Sequence, residues 1–177
     1  ITVCLSLIAR VYINSRNQSR FERTVGRKMA RKKIMIVDDA PMMRLIIHNL
    51  LRNDPHLCLV ASASNGQEAL YKLPEVEPDL ILLDLDMPVM DGLEFLRHAR
   101  LKSRARVVVL TSIAPKGSPK ALEAEALGAD AVISKPSGAV SYDLADKAGD
   151  ELRQTIYRLL GITANFQSEM SGAGIRI

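Results

Sequence analysis

Five short apolar runs recur along the chain, each followed by a helix-like stretch, and this alternation constrains the fold more than any other feature. The runs are Ile34-Met35-Ile36-Val37, Leu57 to Ala61, Leu80-Ile81-Leu82-Leu83, Val107-Val108-Val109-Leu110 and Ala131-Val132-Ile133. The third is continuously apolar, the pattern of a strand buried on both faces. Strands separated by helices pair in parallel, because a parallel crossover needs an element of that length. The expected fold is therefore α/β, a flavodoxin-like doubly wound five-stranded parallel sheet of order 2-1-3-4-5 with five helices.

The helical stretches carry their own punctuation. Pro41 suits the first turn of a helix running to Leu51, whose period is marked by Met42, Leu45, Ile46, Asn49 and Leu50. A second helix, from Gly66 to Leu73, is expected to close at Pro74, and a third to span Gly92 to Arg100 behind a cap at Asp91. Ser118 caps a fourth, which Gly128 ends. Tyr142 to Leu160 is a long amphipathic helix with Leu144, Ala148, Leu152, Ile156 and Leu159 on one stripe.

In an open parallel sheet the ligand site lies beyond the carboxyl ends of the strands, at the switch point of the order. Here strand one runs into Asp38-Asp39, strand three into Asp84, strand four into Thr111-Ser112 and strand five into Ser134-Lys135-Pro136. Three carboxylates, a hydroxyl and an ammonium should thus meet in one crevice. Carboxylates crowded together raise one another's pKa unless a cation holds them. An all-oxygen donor set suits a hard divalent ion, and Mg²⁺ fits a site that also takes phosphate. A carboxylate so placed can act as a nucleophile toward a phosphoryl group, with a lysine binding the phosphoryl oxygens.

These residues carry a resemblance. Ile36-Val37-Asp38-Asp39-Ala40-Pro41-Met42-Met43-Arg44 resembles the opening of response-regulator receiver domains, and Leu83-Asp84-Leu85-Asp86-Met87-Pro88-Val89-Met90-Asp91-Gly92 resembles their phosphoacceptor loop. Leu110-Thr111-Ser112 and Lys135-Pro136 complete the set in order. The resemblance covers residues 33–160 and implies a switch in two-component signal transduction rather than an enzyme. It implies Asp84 as phosphoacceptor, and Mg²⁺ held by Asp38, Asp39, Asp84 and the backbone carbonyl of Asp86. It also implies Thr111 as the switch hydroxyl and Lys135 as the phosphoryl contact, with a cis bond to Pro136. A sensor histidine kinase would supply the phosphoryl group. A downstream protein would meet the face of helix 4, strand 5 and helix 5, and the resemblance allows a phosphorylation-dependent homodimer.

Within the family the likeness is strongest to the receiver of the chemotaxis protein-glutamate methylesterase. It rests on Ser62-Ala63-Ser64-Asn65-Gly66-Gln67-Glu68-Ala69-Leu70 and on Lys135-Pro136-Ser137-Gly138 leading into Ser141-Tyr142-Asp143-Leu144. The chain then reads either as a free-standing relative or as a truncated regulatory domain, since residues 161–177 hold no nucleophile elbow. One position departs from the family: Val132 stands three places before Lys135, where many receivers carry an aromatic ring.

The same residues admit other readings. Asp84-Leu85-Asp86 also matches the Asp-x-Asp of haloacid-dehalogenase-type phosphatases, but that family puts its nucleophile on the first strand. A protein-binding module with a degenerate site is the third reading. Met42, Met43, Met87 and Met90 suit packing and loops, and Ser112 a loop. His48, His56 and His98 are dispersed, while Lys102, Lys116 and Lys120 read as solvated charges.

Composition narrows the rest. The net charge of +4 divides unevenly: residues 1–33 hold nine basic residues against Glu22, a net of +8, leaving fifteen basic against nineteen acidic from Ile34 on. An acidic body with no Trp and 4% aromatic residues argues against a nucleic-acid surface. Cys4 and Cys58 form no metal or disulfide pattern, which suits a reducing, cytoplasmic setting, with Cys58 a small apolar strand residue. Ile1 to Ile13 is too short and too charged to insert in a membrane. Residues 1–28 are expected to be upstream sequence ahead of Met29 or a disordered arm, with a basic membrane-surface segment as the rival. Residues 161–177 are expected to be a flexible tail.

Overall fold

A computed structural model describes residues 30–111, 118–135 and 142–163, with the side chains of 142–148 outside that description. The expectations for residues 1–28, 164–177, Ser112, Lys116 and the Lys135–Pro136 bond lie outside the described residues. The described residues from Arg31 on belong to one compact unit.

The elements alternate as the pattern predicts: β1 (Lys32–Val37), α1 (Pro41–Leu51), β2 (Leu57–Ala63), α2 (Gly66–Val76), β3 (Leu80–Asp84), α3 (Gly92–Lys102), β4 (Arg106–Thr111), α4 (Pro119–Ala126), β5 (Ala131–Ser134) and α5 (Tyr142–Leu160). All strand pairs are parallel, in the order β2-β1-β3-β4-β5. Because side chains alternate across a strand, each strand feeds two cores. Met35, Val37, Ile81, Leu83, Val107 and Val109 pack on α2, α3 and α4, where Phe95 and Leu96 are fully buried. Ile34, Ile36, Leu80, Leu82, Val108 and Leu110 pack on the other face against Ile47, Leu51, Leu152 and Ile156. Leu159 borders that core, so the described part of the α5 stripe faces the sheet.

Two expectations about the helices are corrected. The buried face of α1 is Ile47 and Leu51, with Met43 and Leu50 packed beside them, while Met42 and Leu45 are 67% and 52% exposed. Apolar residues cover two faces of this helix, so their period did not single out the one that meets the sheet. Pro74 does not close α2, which continues to Val76 and ends at Glu77 in a left-handed conformation, φ 43°. Proline forgoes the amide bond to Leu70 and crowds its carbonyl, but the residues after it keep their own bonds, the Glu77 amide donating to the Leu73 carbonyl.

The caps expected at Asp91, Ser118 and Gly128 hold, and Asn65 supplies one more. Asn65 accepts from the Glu68 amide, Asp91 from the Glu94 amide and Ser118 from the Ala121 amide, while Gly128 follows α4 at φ 100°. Cys58 is a half-buried residue of β2, and Met87 is buried. No described helix is long and apolar enough to cross a membrane.

Candidate functional site

Parallel strands carry their carboxyl ends to one edge of the sheet. Asp84 closes β3 opposite Leu110, and Thr111 closes β4 opposite Ser134, which directly precedes Lys135. Asp38 and Asp39 follow β1, the neighbour of β3. The five residues singled out at the strand ends thus belong to adjacent strands of one edge.

Lys135 is the hub. Its Nζ lies 2.7 Å from Asp84 Oδ2 and 2.9 Å from Asp38 Oδ2, and all three side chains are at least nine-tenths buried. Asp39 is exposed, yet one carboxylate oxygen from each of Asp38, Asp39 and Asp84 lies within 4.8 Å of the others. Asp38 Oδ1 accepts from the Ala40 amide at 2.8 Å, and its buried Oδ2 faces the Lys135 ammonium. Three carboxylate oxygens this close together make an all-oxygen donor set that fits a hard divalent cation, which these residues could hold.

Burial pushes the Asp84 carboxyl above the usual aspartate range; Lys135 pulls it down, and the Asp38 charge adds to the rise. Burial disfavours the Lys135 ammonium too, but the hydrogen bond to Asp84 and the contact with Asp38 outweigh it and raise its pKa. A carboxylate beside a fixed ammonium, at the end of its strand among other acids, is equipped in its ionised form to attack an electrophilic phosphorus.

Thr111 is 8% exposed, and its carbonyl accepts from the Lys135 amide at 2.9 Å, which locks β4 to β5 beside the acids. Val132 is buried in the core on the α4 side, so an aliphatic side chain occupies the place of the aromatic ring. The Asp86 amide points to Asp84 Oδ1 at 3.4 Å, and the Asp86 carboxylate pairs with Lys120. Lys120 is thus partnered rather than simply solvated. His48 and His98 are exposed, and His56 sits edge-on to Tyr157 with ring centroids 5.9 Å apart, so no described histidine joins the site.

Two supporting residues were not singled out from sequence. The Arg44 guanidinium donates to the carbonyls of Asp38 and Asp39 at 2.6 and 3.1 Å, fixing the acidic turn from the first helix. Gly92 lies against the acceptor: a Cβ there would meet the Asp84 carbonyl oxygen and stand 2.7 Å from Leu85 Cα. An arginine one turn into α1 and a glycine after Asp91 were the signals available, but neither states its contact.

The sequence model of the family described as response regulator receiver domain matches residues 34–142. The chain is 37% identical over 137 residues to a protein-glutamate methylesterase/protein-glutamine glutaminase of Syntrophomonas wolfei, covering 77% of this chain and 38% of that protein. Its counterpart in Halalkalibacterium halodurans is 39% identical over 127 residues, covering 72% and 36%. The chain therefore spans 36 to 38% of the length of these two relatives. Among solved structures, the response regulator domain of Thermotoga maritima CheB superposes with a TM-score of 0.68 at 29% identity, over 76% of this chain and 99% of that one. A chain of the complex between the P1 domain of CheA3 and CheY6 from R. sphaeroides gives 0.62 at 53% identity, over 73% and 97%. Asp84 stands on the third strand in chain order, not the first as in the dehalogenase-type phosphatases.

Proposed function

Since this chain belongs to the response regulator receiver domain family, we propose that it is a Mg²⁺-dependent phosphoacceptor switch of chemotaxis-type two-component signalling, phosphorylated on Asp84. The observation that carries the reading is the Lys135 ammonium set between the buried carboxylates of Asp38 and Asp84, with Asp39 alongside.

Asp38, Asp39 and Asp84 would hold the metal, with the Asp86 carbonyl as a further ligand. When bound, Mg²⁺ offsets the negative charge that gathers as a phosphoryl group approaches carboxylates. An Asp84 carboxylate oxygen attacks phosphorus, and the bond from phosphorus to the donor's histidine nitrogen breaks. Lys135 holds the phosphoryl oxygens as a point charge, and the Thr111 hydroxyl hydrogen-bonds the product. The chain promotes only its own phosphorylation and dephosphorylation, so its role is regulatory. Phosphorylation shifts a pre-existing equilibrium, and the face of α4, β5 and α5 meets the downstream protein.

The donor is a sensor histidine kinase, a reading supported by the complex of a CheA3 P1 domain with CheY6. Cytoplasmic residence and a phosphorylation-dependent homodimer belong to the same reading, as do a receiver spanning 33–160 and terminal segments outside it. The methylesterase relatives support a second reading, the regulatory part of such an enzyme. The size of the native polypeptide, read by immunoblot, separates the two.

The phosphoacceptor reading is tested by incubating the chain with acetyl phosphate and Mg²⁺ and taking an intact mass. One added phosphoryl group is expected, absent in Asp84→Ala and in EDTA. Failure to gain mass together with failure to bind beryllofluoride would leave a degenerate, protein-binding module in its place.

A further inference from the structure

Lys120 is an odd residue for its position. Ser118 and Pro119 open α4, so Lys120 stands in its first turn, where the helix dipole disfavours a cation and no acidic residue is present. Something other than helix stability places a positive charge there. The ammonium lies on the carboxylate of Asp86, two residues beyond the acceptor and thirty-four away in sequence. It also lines a groove of about 330 Å³ beside the acceptor, together with Asp39, Asp86 and Asp91. Among the described residues lining that groove, Lys120 is the one cation. The contact with Asp86 raises the Lys120 pKa, with Asp91 and Asp84 adding smaller contributions.

The pairing is loosely held. The side chains of Lys120 and Asp86 are 58% and 63% exposed, and such surface ion pairs exchange partners at little cost. A phosphoryl group on Asp84 would bring a charge near −2 and three strong acceptor oxygens, a better partner than one solvated carboxylate. Resting on the phosphoacceptor reading above, we propose that Lys120 is a second phosphoryl-binding cation of this site, held on Asp86 at rest and turned onto the phosphoryl oxygens once Asp84 carries them. It differs from Lys135 in sitting on α4, so its movement reports the state of Asp84 directly to an element of the output face. That route bypasses the switch hydroxyl and an aromatic ring, whose place Val132 occupies.

The test uses the full chain and beryllofluoride with Mg²⁺ as a phosphoryl mimic, with affinities measured by titration calorimetry. Lys120→Met is expected to weaken beryllofluoride binding about fivefold, the worth of one charge-assisted contact at a wet rim, and Lys120→Arg to restore most of it. Asp86→Asn supplies the decisive background, since it breaks the same ion pair and keeps the Asp86 carbonyl. If Lys120 binds the phosphoryl group, Lys120→Met still weakens binding in the Asp86→Asn protein. If Lys120 merely straps α4 to Asp86, the second substitution changes nothing there, and the proposal is overturned. A loss traced to weaker Mg²⁺ binding, titrated without fluoride, overturns it as well. Absence of binding by the unsubstituted chain would instead overturn the phosphoacceptor reading, and this proposal with it.

Discussion

Replacing Lys135 by Met tests the electrostatics of the site through stability alone. The substitution keeps the volume of the stem and removes a charge that faces two buried carboxylates at 2.7 and 2.9 Å. Removing one member of such a buried cluster leaves its partners uncompensated, at a cost of about 3–5 kcal/mol. For a domain of this size that corresponds to a fall in Tm of roughly 10 °C. Urea unfolding followed by far-ultraviolet circular dichroism, in EDTA, reads it directly. Mg²⁺ is expected to return part of the loss, so the stabilisation by metal is larger in Lys135→Met than in the parent chain. pH supplies a second check. Asp84's pKa is raised above 3.8, so its ionisation costs stability as pH climbs through that raised value. Without Lys135 the value rises further, and the gap between the two proteins closes as pH falls through these raised values and Asp84 takes up a proton. A deficit below about 1 kcal/mol in EDTA, or equal stabilisation of both proteins by Mg²⁺, would refute the view that Lys135 is the counter-ion of these acids.

Three further outcomes are expected. The hydrogen bond from Lys72, and then those from the Ser64 amide and hydroxyl, lower the Glu68 pKa from 4.5 to about 2. Glu68→Gln therefore loses stability at neutral pH, and its deficit relative to the parent disappears as pH drops from 4.5 through 2 in acid titrations followed by circular dichroism. Gly92→Ala forces a methyl against Leu85 Cα and the Asp84 carbonyl, costing about 2 kcal/mol and slowing labelling by acetyl phosphate; unchanged labelling would argue against close contact there. Tyr157→Phe removes the 2.6 Å hydrogen bond to buried Asp54 Oδ2, and thermal melts are expected to register a loss of about 1–2 kcal/mol.

Strand order and site were legible for one reason. In β3 an uninterrupted run from Leu80 to Leu83 ends abruptly in a carboxylate, and the same change from apolar to polar recurs at Val37-Asp38, Leu110-Thr111 and Ile133-Ser134-Lys135. Burial demands the run, and the topology places every ending at one edge. Helix faces were less legible where the pattern is redundant: α1 carries apolar residues at 42, 43, 45, 46, 47, 50 and 51, more than one sheet face can cover, and periodicity cannot rank them. Contacts that join distant segments left no local trace. Lys120 and Asp86, like Arg97 and Glu123, are charged residues on exposed turns and helices, and nothing in their neighbours distinguishes a paired charge from a solvated one.

The two lysines of the crevice divide their work by burial. Lys135 and both of its carboxylates are almost closed to water, so any movement that separated them would strand charge in a poorly solvated place. It is therefore a fixed counter-ion, suited to hold a phosphoryl group but not to report one. Lys120 and Asp86 stand mostly in solvent, where water replaces a lost partner and separation is cheap. The lysine free to move with the state of Asp84 is therefore Lys120. Of the two lysines, only Lys120 sits on a helix, so the charge that can move is also the one able to move α4.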